Sequence, residues 1–371
     1  MAEASPLAPR GPGRLVAHFW MILGVIVVAF PVYYVFIAST HSTQTILDGA
    51  LAAEGDTLKE VKARGELNCG VNTGLVGFAA PDASGNWSGF DVAFCKAMAA
   101  AVLGDPAKVK YVPTTGQTRF TALSSGEVDI LARNSTWTFQ RDTDLKLDFI
   151  GVNYYDGQGF MVRKDLGVSS AKELNGATIC IQTGTTTELN LADYFKANNM
   201  EYQPVNIDSN AEGEQQYMAG ACDAYTTDAS GLAATRAAFA DPENHIILPE
   251  IISKEPLGPA VRHGDNNWGD IARWTLYALI AAEEYGVTSA NIDELAKSSQ
   301  NPEVQRLLGT TDDLGKMIGL DAEWAKRAIK ASGNYGEIFA ATIGEQTPIG
   351  LARGLNAQWT QGGLMYAMPF R

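Results

Sequence analysis

Short apolar runs alternate along most of this chain with longer amphipathic stretches, a rhythm that predicts strands alternating with helices. Residues 66–71, 109–112 and 128–131 are compact strand-like runs, and residues 90–103 and 119–125 between them carry helical spacing. The pattern turns extended over residues 149–163, where Gly151, Gly157 and Gly159 interrupt it, and then restarts. Strands are predicted at 178–182, 202–205 and 224–227, with helices at 188–198, 211–219 and 231–239. A second extended passage, 246–261, holds Pro249, Pro256 and Pro259 and precedes a long amphipathic helix over 268–285. Strands alternating with helices predict an α/β fold with parallel sheets. Two extended crossings around one complete α/β unit predict two lobes joined by two hinge strands. Lobe 1 takes residues 56–154 and is completed by 259–371, which end in a helical extension and a Gly-rich aromatic tail; lobe 2 takes 155–258.

Residues 19–38 break this rhythm, being apolar apart from tyrosine hydroxyls and a central Pro31. The run is close to the ~20 residues that span a bilayer as a helix. Arg10 and Arg14 precede it, and Asp48, Glu54 and Asp56 follow before the first lysine, Lys59. The positive-inside rule therefore places the chain beyond residue 40 outside the cytoplasm. Ala50-Leu51-Ala52 is an A-x-A type cleavage site, although the apolar run exceeds the ~7–15 residues of an ordinary leader core. Cleavage near Ala52 and retention as an inner-membrane anchor both stand, with residues 1–55 serving as cytoplasmic stub, hydrophobic segment and linker.

Length and composition narrow the class. The 371 residues suffice for two domains of roughly 100–200 residues each. With 46% hydrophobic and 19% charged residues the chain is a folded protein, and its net charge of −14 excludes the basic face that nucleic acid requires. Four cysteines form an even set with three possible pairings. In an oxidising compartment the economical pairing is Cys69 with Cys95 and Cys180 with Cys222, each within one lobe. There is no CxxC, and His245 and His263 are the only histidines beyond residue 55, so neither a metal site nor a cofactor is expected.

Three strand ends carry candidate chemistry. The run Arg133-Asn134-Ser135-Thr136-Trp137-Thr138-Phe139-Gln140-Arg141 follows the strand at 128–131 and turns into a helix, with Thr138 as N-cap. Arg141 then lies in a first helical turn, where a cation opposes the helix dipole by roughly 0.3–1 kcal/mol. It either pairs on the surface with Asp142, Asp144 or Asp148, or meets a buried anion. Thr183-Gly184-Thr185-Thr186-Thr187-Glu188 ends one strand and opens a helix, offering hydroxyls and backbone N–H groups to an anion. The same residues also suit an N-cap with Glu188 in a capping box. Asp228 sits at the corresponding turn two strands later, either as an N-cap or as acceptor of an ammonium group. A cation, a hydroxyl cluster and an anion at three strand ends suit a zwitterion held between two lobes.

The run Gly89-Phe90-Asp91-Val92-Ala93-Phe94, the Thr138…Arg141 spacing, the Gly184-Thr185-Thr186 turn and the Asp223…Asp228 strand together resemble the periplasmic amino-acid-binding proteins of ABC importers, in the branch serving broad-specificity L-amino-acid uptake. Val32 to Thr40 resembles, locally, the first transmembrane helix of the permease subunit of bacterial sugar or glycerol-phosphate importers. The main resemblance implies a type II two-lobe fold, preceded here by one hydrophobic helix, that closes on an L-amino acid. It implies that Arg141 clamps the α-carboxylate with Thr136 and the Asn134 backbone, that Thr185 and Thr186 reach the same group, and that Asp228 accepts the α-ammonium. Leu75, with Phe78 nearby, stands where many relatives stack an aromatic ring on the ligand side chain, and Ala93 replaces a usual acidic residue. The resemblance further implies a non-catalytic monomeric receptor in the periplasm of a Gram-negative bacterium, delivering to ABC permease subunits. Two other readings are an enzyme on the same fold, resembling periplasmic cyclohexadienyl dehydratases, and a membrane-anchored amino-acid sensor.

Overall fold

The computed structural model describes Trp20 and residues 56–371. The expected hydrophobic helix, its cleavage site and the permease-like stretch lie outside the described residues. Among the described residues no helix is long and apolar enough to cross a membrane. Residues 56–371 belong to one compact unit.

Lobe 1 opens with α1 (Asp56–Arg64), whose first turn carries Asp56 and last turn Lys62 and Arg64, the arrangement that complements the helix dipole. The strands β1 (Leu67–Asn72), β2 (Ala80–Pro81) and β3 (Trp87–Ser88) lead into α2 (Phe90–Leu103), which is buried along most of its length. Gly89 immediately before α2 has φ 130°, and a Cβ there would stand 2.3 Å from the Phe78 carbonyl oxygen, so this position in the quoted motif excludes a side chain. β4 (Val109–Thr114), α3 (Arg119–Ser124), β5 (Ile130–Leu131), α4 (Phe139–Thr143) and β6 (Leu147–Phe149) complete the first pass. The outgoing hinge strand is β7 (Tyr154–Asp156).

Lobe 2 contains β8 (Gln158–Arg163), β9 (Thr178–Gln182), α5 (Thr186–Ala197), β10 (Gln203–Ile207), α6 (Asn210–Met218), β11 (Ala224–Asp228), α7 (Ala229–Ala238) and β12 (His245–Ile247). The return strand β13 (Glu255–Leu257) pairs antiparallel with β7 to form the hinge. β14 (Ala260–Arg262) and the long helix α8 (Asn266–Glu284) rejoin lobe 1, followed by α9 (Ile292–Ser298), α10 (Pro302–Leu307), α11 (Trp324–Ser332), α12 (Tyr335–Thr342) and the tail. The tail touches the hinge directly, because Asn356 accepts the Tyr155 N–H at 2.6 Å and donates to its carbonyl at 3.1 Å.

The sheets are mixed rather than parallel throughout. Their orders are β4-β1-β5-β14-β6 and β10-β9-β11-β8-β12, with β14 and β8 antiparallel to both neighbours. The cause lies in the hinge. A strand that follows β7 after only Gly157 enters lobe 2 at the end where β11 finishes, with Gln158 opposite Asp228, and so must run the other way. The remaining strands are parallel, as expected. Both cysteine pairings hold: Cys69–Cys95 ties β1 to α2, and Cys180–Cys222 ties β9 to the turn before β11. The lobe 1 core gathers α2, α8 and α11 against β1, and lobe 2 has apolar cores on both faces of its sheet.

Candidate functional site

The chain between β5 and α4 presents its polar groups to lobe 2. Thr138 caps α4 as expected, its hydroxyl accepting the Arg141 N–H at 3.2 Å. Arg141 is buried, donates from Nη1 to the Thr136 carbonyl at 2.8 Å and lies over the Phe120 ring. Asp142 and Asp148 face His263 instead. Burial pushes the Arg141 guanidinium down to about 10, against the pull of Glu255 and Asp228. Arg141 is therefore an interior cation, and the misfit with its own helix dipole is answered by carboxylates rather than by surface neighbours.

Two further arginines stand beside it that the sequence pattern alone did not single out. Arg119 opens α3 and Arg133 ends the β5 run, and each is only 2% exposed. Arg119 donates from Nη1 to Ser135 Oγ at 3.1 Å and from Nη2 toward the Gly184 carbonyl of lobe 2 at 3.5 Å. Arg133 donates from Nε to the Thr114 carbonyl at 3.2 Å. Arg119 Nε and Arg133 Nη2 are buried without a hydrogen-bond partner. Burial, followed by repulsion from Arg133 and Arg141, holds Arg119 well below its ordinary range, and burial with repulsion from Arg141 brings Arg133 down to about 10. A signal existed in the sequence, since Arg119 shares a helical face with Ala122 and Leu123, where a core residue belongs.

Carboxylates face these cations. Asp228 ends β11 and makes no side-chain cap bond to α7, so the capping role is not the one it fills. Burial, then Asp156 and Glu255, raise its carboxyl well above the ordinary range, while Arg119 and the Asn134 amide pull it down. Asp156, at the end of β7, accepts the Ser230 hydroxyl and the Gly157 N–H, and burial raises it to about 6. Glu255, at the start of β13, is 1% exposed and accepts from Thr136, Thr186, Asn190 and Ser253. Asp91 of α2 accepts the Asn134 N–H at 3.2 Å and is raised by burial to about 6, with Asn134, Asn153 and Arg133 opposing. Asp156 and Glu255 fall in the extended passages, which carry no periodicity to flag them.

The strand ends of the two lobes meet. The Thr136 and Thr186 hydroxyls are 3.2 Å apart, Gln117 Nε2 donates to Thr183 Oγ1 at 2.5 Å, and Asn72 Nδ2 donates to Asn134 Oδ1 at 3.0 Å and to Asn210 Oδ1 at 3.3 Å. Thr185 caps α5, accepting the Glu188 N–H at 3.3 Å, and Glu188 reaches back to the Gly184 N–H at 3.0 Å. The capping reading of this turn therefore holds, and its Thr186 hydroxyl faces Thr136 of lobe 1. Leu75 and Phe78 are placed in the lobe 1 core, with Phe78 edge-on to Phe90 and Tyr154.

Two α/β lobes on a paired hinge, with buried cations and carboxylates gathered where the lobes meet, have the build of a solute-binding protein. Residues 67–291 match the bacterial extracellular solute-binding proteins, family 3, and the chain belongs to that family. It is 74% identical over 320 residues, 86% of this chain and 95% of the relative, to the glutamate/glutamine/aspartate/asparagine-binding protein BztA of Rhodobacter capsulatus. It is 62% identical over 325 residues, 87% of this chain and 95% of the relative, to the general L-amino acid-binding periplasmic protein AapJ of Rhizobium johnstonii. A solved periplasmic binding protein from Brucella ovis with glutathione bound is 57% identical with a TM-score of 0.83, covering 86% of this chain and all of that one.

Proposed function

We propose that this protein is a periplasmic, non-catalytic receptor that captures L-amino acids between its lobes and delivers them to the permease of an ABC importer. The observation that carries this reading is the bipolar cleft, with Arg141 on lobe 1 opposite Asp228 on lobe 2. Burying both charges of a zwitterion is costly unless each is paired and hydrogen-bonded. Arg141 takes the α-carboxylate through its free edge, assisted by the backbone N–H groups of the turn at Asn134 and Thr136 and of the first turn of α5 at Thr185 and Thr186. Asp228, with Asp156 behind it, takes the α-ammonium. Leu75 and Phe78 act behind this contact layer by supporting the lobe 1 wall.

The side chain it selects follows from Arg119 and Arg133. Two buried guanidinium groups with unused N–H donors suit a ligand side chain that ends in carboxylate or amide oxygen, so glutamate, glutamine, aspartate and asparagine form the preferred class. The binding protein of R. capsulatus, by its name, takes that set. A γ-glutamyl compound carries the same zwitterion and an amide oxygen in place of the side-chain terminus, and the glutathione in the B. ovis protein supports this as a second ligand class. A thermal-shift screen against the twenty L-amino acids and glutathione tests both. Ligand at a hundred times its Kd stabilises by about 2.7 kcal/mol, so the four acidic and amide amino acids should give the largest shifts. A screen without a shift for any amino acid contradicts the proposal. Export with cleavage near Ala52 is read from the mature mass; a mature protein that retains residues 19–38 favours the anchored form.

A further inference from the structure

Glu255 is fastened to lobe 1 by its own strand. The Trp137 N–H donates to the Pro256 carbonyl at 2.8 Å, the Gly258 N–H donates to the Ser135 carbonyl at 3.0 Å, and Thr136 and Leu257 form an antiparallel bridge. The Thr136 hydroxyl approaches Glu255 Oε2 from this side. The remaining partners include two from α5 of lobe 2: the Thr186 hydroxyl donates to Oε2 at 2.9 Å, and Asn190 Nδ2 donates to Oε1 at 2.7 Å. A buried carboxylate that travels with lobe 1 is thus held at the positive end of a lobe 2 helix, where an anion is stabilised. A carboxylate only accepts and a hydroxyl has a single proton, so Thr136 and Thr186 both commit their protons to Glu255.

We propose that Glu255 is an inter-lobe latch: an internal carboxylate that α5 captures when the cleft closes, stabilising the closed form and so setting how much of the ligand's binding energy closure consumes. It rests on the reading of a cleft that closes on its ligand. Thr136 and Thr186 then serve as positioning residues that hold the latch, and Arg141 is left as the principal cation for the ligand's carboxylate. Because Glu255 is not displaced by ligand, its contribution adds to that of the ligand rather than competing with it.

Glu255→Ala, the near-isosteric Glu255→Gln and the charge-preserving Thr186→Val test the latch in the purified exported protein. Small-angle scattering is recorded without amino acid and with saturating L-glutamine, alongside isothermal titration. Each variant is expected to be more open than wild type without amino acid and to match it at saturation, with the L-glutamine Kd raised about tenfold in Glu255→Ala. Unchanged scattering of the unliganded variants overturns the latch. Tighter L-glutamine binding by Glu255→Ala also overturns it, since Glu255 would then be a competitor for the ligand's site. A wild type that binds no amino acid while the unliganded variants still open contradicts the proposed function and leaves the latch standing.

Discussion

The two sides of the cleft are built alike and charged oppositely. Lobe 1 brings Arg119, Arg133 and Arg141 to its strand ends, backed by Asp91, whereas the carboxylates near them come from lobe 2 at Asp228 and from the two hinge strands at Asp156 and Glu255. Each side alone is uncomfortable: repulsion among the arginines adds to burial in lowering Arg119, and repulsion among the carboxylates adds to burial in raising Asp228. Like charges crowded in a low-dielectric site are sustained by what lies across the gap. On the proposed function, neither lobe is therefore a binding site by itself. A zwitterion would supply the missing partner to both sides at once, so that its capture and closure of the cleft would be one event.

The largest effect should come from removing one pole. Arg141→Ala should weaken binding of every L-amino acid by about 2–5 kcal/mol in isothermal titration, because the ligand carboxylate and the opposing acids lose their counter-charge. Removing a staple should leave the poles intact. Cys180→Ala with Cys222→Ala should cost about 2–4 kcal/mol of stability in denaturant unfolding while changing ligand affinity little, since the bond lies wholly within lobe 2.

Arg119→Met separates the side-chain contact from the charge balance of lobe 1. It should cost about 1.5–3 kcal/mol in affinity for L-glutamate but much less for L-alanine, as expected for a lost charged hydrogen bond to the side chain. The unliganded variant should melt no lower than wild type, because a crowded buried charge has been replaced by an apolar group of similar length.

The smallest effect is the response to pH. Asp91 and Asp156, both near 6 in the folded protein against an ordinary 3.8, bind more protons folded than unfolded between about 4 and 6. The stability of the unliganded protein should therefore rise as pH falls through this window, with the gain complete near 4. Ligand affinity should move the other way and fall as pH falls, because the α-ammonium favours the ionised forms of Asp156 and Asp228, by up to about tenfold per pH unit for each proton released on binding. Denaturant melts and titrations at pH 4.5, 5.5 and 7 read the two slopes, and slopes of the same sign contradict the assignment of these carboxylates to the ammonium.

Much of the fold was legible because periodicity marks it: the alternating apolar runs located most strands and helices, and the cysteine pairing followed from which residues share a lobe. The Thr138 cap was legible because a hydroxyl before a helical run stands out against an apolar background, and Arg141 and Asp228, both buried in the fold, are marked as candidates for the same reason. Glu255 and Asp156 were not, since hinge strands of three residues carry no period and their partners are more than sixty residues away in sequence for Thr136, Thr186 and Ser230. The reversed directions of β8 and β14 were likewise hidden, because strand direction depends on where the chain re-enters a sheet and not on the composition of the strand.

The most direct test of the bipolar cleft is the isothermal titration of wild type and Asp228→Asn with L-glutamine and with its analogue lacking the α-amino group. Wild type should bind L-glutamine far more tightly than the analogue, and Asp228→Asn should abolish most of that preference by weakening L-glutamine alone. A variant that keeps the full preference would place the ammonium elsewhere and contradict the account.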